Sequence, residues 1–451
     1  MKKWFCLLLA AMLLALTACG ETAPPAVSQP PAVSTEAAQP AEPEKPAEPE
    51  KPAEPEKPAE PEKPAEPEKP KLTDAEQAVL TERRTAAEAY MREMATVLWR
   101  AEEDIEYSLS SGTPYAEAAE SKRRAVRAGR LYRGMIYSYG FSDLDVFLDY
   151  AGEPENGIYS VSGLDWQAVG GSSSLPRVGN DCSGALVGAW NSIGAGMPAK
   201  ATNLMCLNNG FLPVGEYVTD PAQNADTHLV TVVQNGEDVM CRAYAQLQMA
   251  DGVVRRKGSS GHARMVVETK VVYRADGSID PDKSYIIALE QTSSRLQQGV
   301  KHYDAALGED VYEIFGVDIK YTFRKLCADG YLPITCRALI DPTPIPAAEV
   351  RDSVKDYSAD TLLIGTLTAN RFIGEVTLTI ADGKENMVQQ AAVPAVRGKG
   401  TTFEMSLLAG SQAVRGSVDI KALKPGSYRC TVVCRLLTGE EITVRDFAFT
   451  V

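Results

Sequence analysis

Cys182 is the residue of this chain whose surroundings best suit nucleophilic chemistry. It lies in the segment Gly-Asn-Asp-Cys-Ser-Gly at 179–184, and apolar residues then recur at helical spacing up to Gly194. We therefore predict that Cys182 begins a helix, where the helix dipole and the unpaired backbone N–H groups favour a thiolate. The same N–H groups can stabilise an oxyanion during acyl transfer. From spacing alone, a buried cysteine at a helix start is an equal alternative.

A thiolate nucleophile needs a base within hydrogen-bonding distance, and the chain has 3 histidines, His228, His262 and His302. His262 follows a glycine-containing turn and opens a run of strand character. His228 is predicted to precede a strand with no suitable polar residue opposite it, and His302 has no clear strand after it. We therefore predict His262 as the base and interpret the other two as structural or surface residues.

The third member of such a site would come from the strand that follows His262. A turn near residue 276 predicts a hairpin whose second strand, Tyr285–Leu289, leads into Glu290 and Gln291. Either residue would return opposite His262 and could orient its second ring nitrogen.

These segments resemble a known family. Asp-Cys-Ser-Gly at 181–184, followed by an apolar helix, resembles the cysteine motif of NlpC-type cell-wall cysteine peptidases, and Gly261-His262 resembles their Gly-His motif. Gly-Met-Ile-Tyr-Ser-Tyr-Gly at 134–140 resembles their Gly-x-x-Tyr-x-aromatic-Gly segment, which maps the active-site tyrosine to Tyr137. The resemblance spans about residues 115–300.

The resemblance implies a papain-like α+β domain that hydrolyses amide bonds of peptidoglycan stem peptides with no metal and no cofactor. The Cys182 thiolate would attack a stem-peptide carbonyl, with His262 as the base and Glu290 or Gln291 as the third member. The backbone N–H of Cys182, together with Tyr137, would stabilise the oxyanion.

Three further residues are expected at the substrate. Asp181 and Ser183 flank the nucleophile, and Arg264 shares a strand face with His262, from which it could contact a stem carboxylate. A solvated strand arginine is the alternative for Arg264.

The sequence departs from the family in two places. The Gly-Gly pair expected between tyrosine and cysteine comes late, at 170–171, so Trp166 and Gln167 are rivals of Tyr137. Leu-Glu-Gln at 289–291 resembles the Glu-Gln segment of the related CHAP amidases, which favours Glu290 over Gln291. A CHAP-like N-acetylmuramoyl-L-alanine amidase is therefore one alternative function, and a catalytically inactive surface-binding or adhesion protein is another.

The elements that must position these residues follow an α+β pattern. Residues 73–76 read as a capping box, and apolar residues at helical spacing then extend to Leu109. A second helix is predicted over about Tyr115–Tyr132, and strands from Leu229 onward. Short strand-like runs between 361 and 451 predict an immunoglobulin-like β-sandwich.

The N-terminus reads as an export signal. A basic start and an apolar run end in Leu-Thr-Ala-Cys at 16–19, which resembles a bacterial lipoprotein lipobox. Cys19 is therefore predicted to carry lipid and to anchor the protein at the extracytoplasmic face of the bacterial cell membrane. An Ala-Glu-Pro-Glu-Lys-Pro repeat follows, too poor in apolar side chains to fold. The predicted divisions are a signal peptide (1–19), a Pro/Glu/Lys-rich linker (20–71), a helical lead-in (72–114), an NlpC-type hydrolase domain (115–342) and a β-sandwich (343–451).

Composition limits the other partners. The 451-residue chain carries 46 Lys and Arg against 60 Asp and Glu, a net charge of −14 that argues against nucleic acid as a partner. Peptidoglycan is the partner that the resemblance implies. None of its 9 cysteines forms a Cys-x-x-Cys pair, so no metal site is predicted. Cys430 and Cys434 are too far apart along one strand for a disulfide. The pairing of Cys206, Cys241, Cys327 and Cys336 stays open.

Overall fold

The structure is a computed structural model. It describes residues 72–110, 113–139, 144–162, 179–198, 207, 210–219, 227–258, 260–394, 400–409 and 418–451. The predictions for the signal peptide, Cys19, the linker, Trp166, Gln167 and Cys206 lie outside these residues.

The described chain mixes helices and strands, and most of its elements are strands. The helices are α1 (Asp74–Thr96), α2 (Leu144–Ala151), α3 (Cys182–Ser192), α4 (His228–Asn235), α5 (Glu237–Tyr244), α6 (Ser293–Gln298) and α7 (Phe323–Asp329). The strands up to residue 336 are β1 (Leu98–Ala101), β2 (Ile105–Ser108), β3 (Arg123–Val126), β4 (Leu131–Arg133), β5 (Tyr159–Val161), β6 (Phe211–Pro213), β7 (Gly252–Lys257), β8 (Ser260–Lys270), β9 (Tyr285–Gln291), β10 (Lys301–Asp304), β11 (Glu309–Glu313), β12 (Phe315–Thr322) and β13 (Leu332–Cys336). The later strands are β14 (Val350–Asp352), β15 (Thr366–Ala369), β16 (Ile373–Asp382), β17 (Met387–Pro394), β18 (Thr402–Glu404), β19 (Ser427–Leu436) and β20 (Glu441–Thr450).

Helix α1 begins with the predicted capping box. The Thr73 hydroxyl accepts from the Glu76 N–H, and the Glu76 carboxylate accepts from the Thr73 N–H at 2.7 Å. The helix ends at Thr96, whereas the apolar spacing predicted that it continues to Leu109. The next residues form β1 and β2 instead, since Trp99 and Ala101 alternate into the core and β1 pairs with β4 and β5 on its two sides.

The helix predicted over Tyr115–Tyr132 is wrong. This segment contains two 3₁₀ turns of 3 residues each, at Tyr115–Glu117 and Glu120–Lys122, followed by β3 and β4. Strand β3 pairs with β2 as a two-stranded hairpin, and β4 lies between β1 and β11. Pairing with distant strands therefore outweighs the local helix propensity.

The strand predicted at Leu229 is also wrong, because Leu229–Val233 lies in α4. Thr231 and Val232 of this helix are buried while Val233 is 71% exposed. Burial of one face thus forms a helix from β-branched residues that favour strands in isolation. The strands of this region begin at β7.

Two sheets carry the first part of the chain. A six-stranded sheet has the order β12-β9-β8-β7-β13-β6, with α3 packed on β8, and a five-stranded sheet has the order β10-β11-β4-β1-β5. Their buried residues, with those of α1 and the β2–β3 hairpin, form one apolar cluster that extends from Ala87 to Leu339.

The C-terminal part has a separate core. A three-stranded sheet (β14-β15-β18) and a four-stranded sheet (β17-β16-β19-β20) contribute side chains to one apolar cluster that extends from Leu362 to Phe449. The sequence did not predict β17, an edge strand whose Gln-Gln-Ala-Ala centre has low strand propensity. Cys430 and Cys434 are both buried as free thiols in this core.

Candidate active site

Cys182 is the first residue of α3, as the sequence predicted. Asp181 caps the helix, because its Oδ1 accepts from the Gly184 N–H at 2.7 Å and from the Ser183 hydroxyl at 2.7 Å. The Cys182 side chain is only 5% exposed. Ser183 is fully buried, and its hydroxyl donates to the capping carboxylate of Asp181. The expected contact of Ser183 with a substrate is therefore not part of this geometry.

The thiol lies among backbone donors. Burial raises the pKa of the Cys182 thiol above its usual range, and the negative charge of Asp181 adds to the rise. Backbone N–H groups of Ala263 and Ser183 act in the opposite direction, since they stabilise the thiolate. The residue after His262 on β8 therefore reaches the sulfur of Cys182 at the start of α3.

His262 lies near the start of β8 and binds Glu290 near the end of β9. Nε2 of His262 is 2.6 Å from Oε2 of Glu290. The sequence predicted that the hairpin would bring Glu290 opposite His262. The strand register agrees, because Met265 pairs with Leu289, which precedes Glu290. Because an ionised carboxylate can only accept, this bond places the proton on Nε2 and leaves the lone pair of Nδ1 available.

Burial opposes ionisation of both partners. It lowers the pKa of His262, which the hydrogen bond and charge of Glu290 raise again in part. Burial alone would raise the pKa of Glu290, but the pKa is well below its usual range. His262 and Tyr321 donate hydrogen bonds to the carboxylate, and the positive charges of His262 and Arg264 stabilise it. Glu290 is therefore a carboxylate at neutral pH.

Gln291 faces away from His262. Its amide nitrogen donates to the carbonyl oxygens of Met135 at 3.0 Å and Ile136 at 3.1 Å, and the residue has no exposed surface. Of the two residues predicted as the third member, Glu290 contacts His262, and Gln291 binds the backbone of the two residues before Tyr137.

Tyr137 lies directly beside the cysteine segment. It forms a parallel bridge with Asn180, and the Ser138 N–H donates to the Asn180 carbonyl at 3.0 Å. Gly179 permits this approach: its φ is +118°, and a Cβ there would lie 2.4 Å from the Ile136 carbonyl oxygen. Burial raises the pKa of the Tyr137 phenol, and the nearby Cys182 and Asp181 add to the rise.

The β2–β3 hairpin supplies two residues that the sequence interpretation missed. Tyr107 and Arg124 are cross-strand partners, and the Tyr107 hydroxyl donates to the Tyr137 carbonyl at 2.6 Å. Burial raises the pKa of the Tyr107, Tyr137 and Tyr139 phenols, and the positive charge of Arg124, which is 4% exposed, opposes part of this rise. No local sequence signal marks them, because the segment that forms this hairpin is rich in helix-forming residues.

Arg264 lies at Glu290 and not at open solvent. It is 7% exposed, and its Nε donates to Oε2 of Glu290 at 2.5 Å. The same oxygen accepts from His262, so Arg264 belongs to the network around the third member. Its expected contact with a stem carboxylate is not part of this geometry.

The other two histidines lie elsewhere. His228 is fully buried at the start of α4, with Nδ1 3.1 Å from the Val254 carbonyl oxygen. His302 lies within β10, where no clear strand was expected, and its Nδ1 is 3.0 Å from a carboxylate oxygen of Glu313. In the part of the chain that the structure describes, no three His, Cys, Asp or Glu side chains are grouped as metal ligands. Nor does any described helix have the length and apolar character to cross a membrane.

Comparisons with known proteins were made at three levels. No protein-family model matches the chain, and no curated protein matches it. Among solved structures it is similar to the tetra-tandem repeat in the extending region of a large adhesion protein, at 14% identity and a TM-score of 0.16. The match covers 45% of this chain and 41% of that one, so the chain spans less than half of its length. A TM-score this low supports no argument about fold or function.

Proposed function

We propose that the protein is a cysteine hydrolase that cleaves amide bonds in peptidoglycan stem peptides, and that Cys182 is its nucleophile. The observation that carries the proposal is the 2.6 Å contact between His262 and Glu290, across two strands packed on the helix that Cys182 begins. A nucleophile, a base and a residue that orients the base are the parts that acyl transfer requires.

The reaction would proceed through a thioester. The Cys182 sulfur attacks the amide carbon while its proton passes to Nδ1 of His262, and the backbone N–H of Cys182 stabilises the oxyanion. The protonated His262 then gives this proton to the leaving amine as the carbon–nitrogen bond breaks. Water attacks the thioester, loses its proton to His262, and releases a carboxylic acid and the free thiol.

The fold assignment belongs to the same proposal. A helix with the nucleophile at its N-terminus, packed on an antiparallel sheet that carries the histidine and its acidic partner, is the arrangement expected of a papain-like, NlpC-type domain. For the C-terminal core we propose an immunoglobulin-like β-sandwich, supported by the Tyr428 hydroxyl, which donates 2.8 Å back to the Lys424 carbonyl as in a tyrosine corner.

The cellular setting rests on the sequence. The lipobox at 16–19 supports a lipid anchor on Cys19, and the Pro/Glu/Lys-rich linker supports a tether that extends from the membrane surface towards the wall. We therefore place the enzyme at the extracytoplasmic face of the cell membrane, with peptidoglycan as its partner.

A CHAP-like N-acetylmuramoyl-L-alanine amidase is the second candidate, and the contact of Glu290 with His262 favours it. The two functions differ in their products. Fragment mass spectrometry of purified murein treated with the full chain separates them, since shortened stems identify an endopeptidase and complete free stem peptides identify an amidase.

The nucleophile is tested by Cys182→Ala, with Cys434→Ala as the matched control because Cys434 is an equally buried free thiol in the other core. We expect Cys182→Ala to release no fragment and Cys434→Ala to release the parent's fragments. If Cys182→Ala digests murein as well as the parent does, or if the parent exposes no new amine, the hydrolase proposal is wrong.

A further inference from the structure

Three side chains donate to the Glu290 carboxylate: His262, Arg264 and Tyr321. The reaction as proposed gives no role to Arg264 or Tyr321. Beyond the bonds of Oε2 to His262 and Arg264, Oε1 accepts from the Tyr321 hydroxyl at 2.7 Å. Glu290 is 8% exposed. Because both oxygens are bonded, the carboxylate cannot rotate without losing a charge-assisted hydrogen bond in a buried setting.

Arg264 is itself fixed by stacking. Its guanidinium carbon is 3.7 Å from the ring centre of Tyr321 and 4.3 Å from that of Tyr331. A planar guanidinium between two rings keeps one orientation, which a flexible lysine ammonium does not reproduce. Tyr321 thus acts twice, because it binds Glu290 by its hydroxyl and Arg264 by its ring.

The backbone of β12 completes this arrangement. Gly316 pairs with Glu290, and a Cβ at position 316 would lie 3.0 Å from Cγ of Glu290. The bare backbone therefore gives the glutamate side chain the room that its position requires.

We propose that Arg264 and Tyr321 are positioning residues of the reaction: they fix the Glu290 carboxylate so that it holds the His262 ring with Nδ1 directed at the reacting atoms. This inference rests on the proposed hydrolase function and adds two residues that act through Glu290.

The shared oxygen also has an electrostatic consequence. Arg264 and His262 bond the same Oε2, so a protonated His262 would place a second positive charge beside the guanidinium. The charged groups that act on the pKa of His262 are Glu290 on β9, Arg264 on its own strand and Arg255 opposite it on β7. Tyr321 on β12 bonds Glu290, and Cys182 begins α3, which packs on β8. Arg264 lowers the pKa of His262, so its removal raises that pKa.

The first experiment measures kcat and KM on murein for Tyr321→Phe and Arg264→Lys. Each keeps the charge of the parent. Tyr321→Phe removes the hydrogen bond to Glu290, and Arg264→Lys removes the stacked guanidinium. Partners that orient a metal-bound histidine typically contribute about 10–100-fold, and by analogy we expect kcat to fall about tenfold or more with KM within about twofold. Arg324→Gln is the control. Arg324 is an exposed arginine whose ion pairs are with Asp282 and Glu237, and neither of these residues bonds Glu290.

The second experiment separates positioning from a structural role. In a Glu290→Gln background, Arg264→Lys is expected to cost less than about threefold further, because its partner is already changed. The pKa of His262, read from its imidazole NMR signals against pH, is expected to be higher in Arg264→Gln than in the parent, because Arg264 lowers it. Arg255→Gln changes the charge near His262 without touching Glu290 and serves as the comparison for this shift.

The proposal is overturned if Tyr321→Phe and Arg264→Lys keep kcat within about twofold of the parent, or if their losses add fully to that of Glu290→Gln. The NMR titration of His262 needs no substrate. If the parent does not hydrolyse murein, the hydrolase function fails, while an unchanged pKa of His262 in Arg264→Gln separately rejects the network.

Discussion

At the scale of single residues, the site favours a neutral resting pair. Burial raises the pKa of the Cys182 thiol above its ordinary 9.0 and lowers that of the His262 imidazole below its ordinary 6.5. Both directions disfavour a thiolate facing an imidazolium. In the proposed reaction the proton would therefore move to His262 during the attack on the carbonyl rather than before it, and the Glu290 bond would keep Nδ1 free to receive it.

This protonation state predicts a particular pH dependence. His262 must be unprotonated to act as the base, so kcat/KM on murein should fall only below pH 6.5, as pH passes down through its lowered pKa. Alkylation of Cys182 should be slow at neutral pH and rise above pH 9.0. Glu290→Gln removes the group that raises the pKa of His262, so its acid limb should move to still lower pH while kcat falls. Fast alkylation of the parent at pH 5 would contradict the neutral pair.

The residues that the sequence could place were those with a local signal. Cys182 had a motif before an apolar helix, and His262 and Glu290 had a hairpin between them. Tyr321 had none, because β12 pairs with β9 from further back in the chain. Arg124 had none, because the β2–β3 hairpin has a helix-forming sequence. Arg264 had the right strand face, but whether it meets solvent or Glu290 depends on two tyrosines that lie about sixty residues further on.

At the scale of elements, local signals predicted helix starts and failed where strands pair over long distances. The capping box at Thr73 and the cap at Asp181 mark α1 and α3 correctly. The hairpin β2–β3 was hidden, since its sequence is rich in helix-forming Ala, Glu, Lys and Arg. Its fold depends on contacts with α6 and the Tyr137 segment, which no local pattern specifies.

Tyr107→Phe tests the link between this hairpin and the site. It leaves the buried Tyr137 carbonyl without its 2.6 Å donor, so we expect a loss of about 1–3 kcal/mol in the free energy of unfolding. Because Tyr137 lies beside Asn180 and Cys182, kcat should fall as well. Chemical denaturation and murein digestion measure the two effects. Tyr115→Phe, in the loop of the same hairpin, is the control and should change neither, and equal effects from both substitutions would refute the link.

At the scale of the whole molecule, the described chain has two apolar cores, one through Leu339 and one from Leu362. Among the described candidates, Tyr137 and Cys182 belong to the first, and His262 and Glu290 lie on strands that contribute to it. The second is organised around Arg445, which is 1% exposed: it binds the Asp352 carboxylate at 2.6 Å and donates to the carbonyls of Thr361, Leu362 and Ile364. This one side chain ties β20 to the segment between β14 and β15.

Arg445→Met therefore tests whether the second core is a separate folding unit. The substitution leaves the buried Asp352 charge and three carbonyls unpaired, which should destabilise this core by about 3–5 kcal/mol. Arg429→Met is the control, because Arg429 binds Asp446 in an exposed pair and should cost about 0.2–1 kcal/mol. Thermal unfolding of Arg445→Met should show one transition at lower temperature and one unchanged. Because Cys182 and His262 pack in the first core, the alkylation profile of Cys182 should match the parent's below the second transition. A single shifted transition, with Cys182 exposed at the same temperature, would mean that the two cores unfold as one unit and that the C-terminal sheets support the site directly.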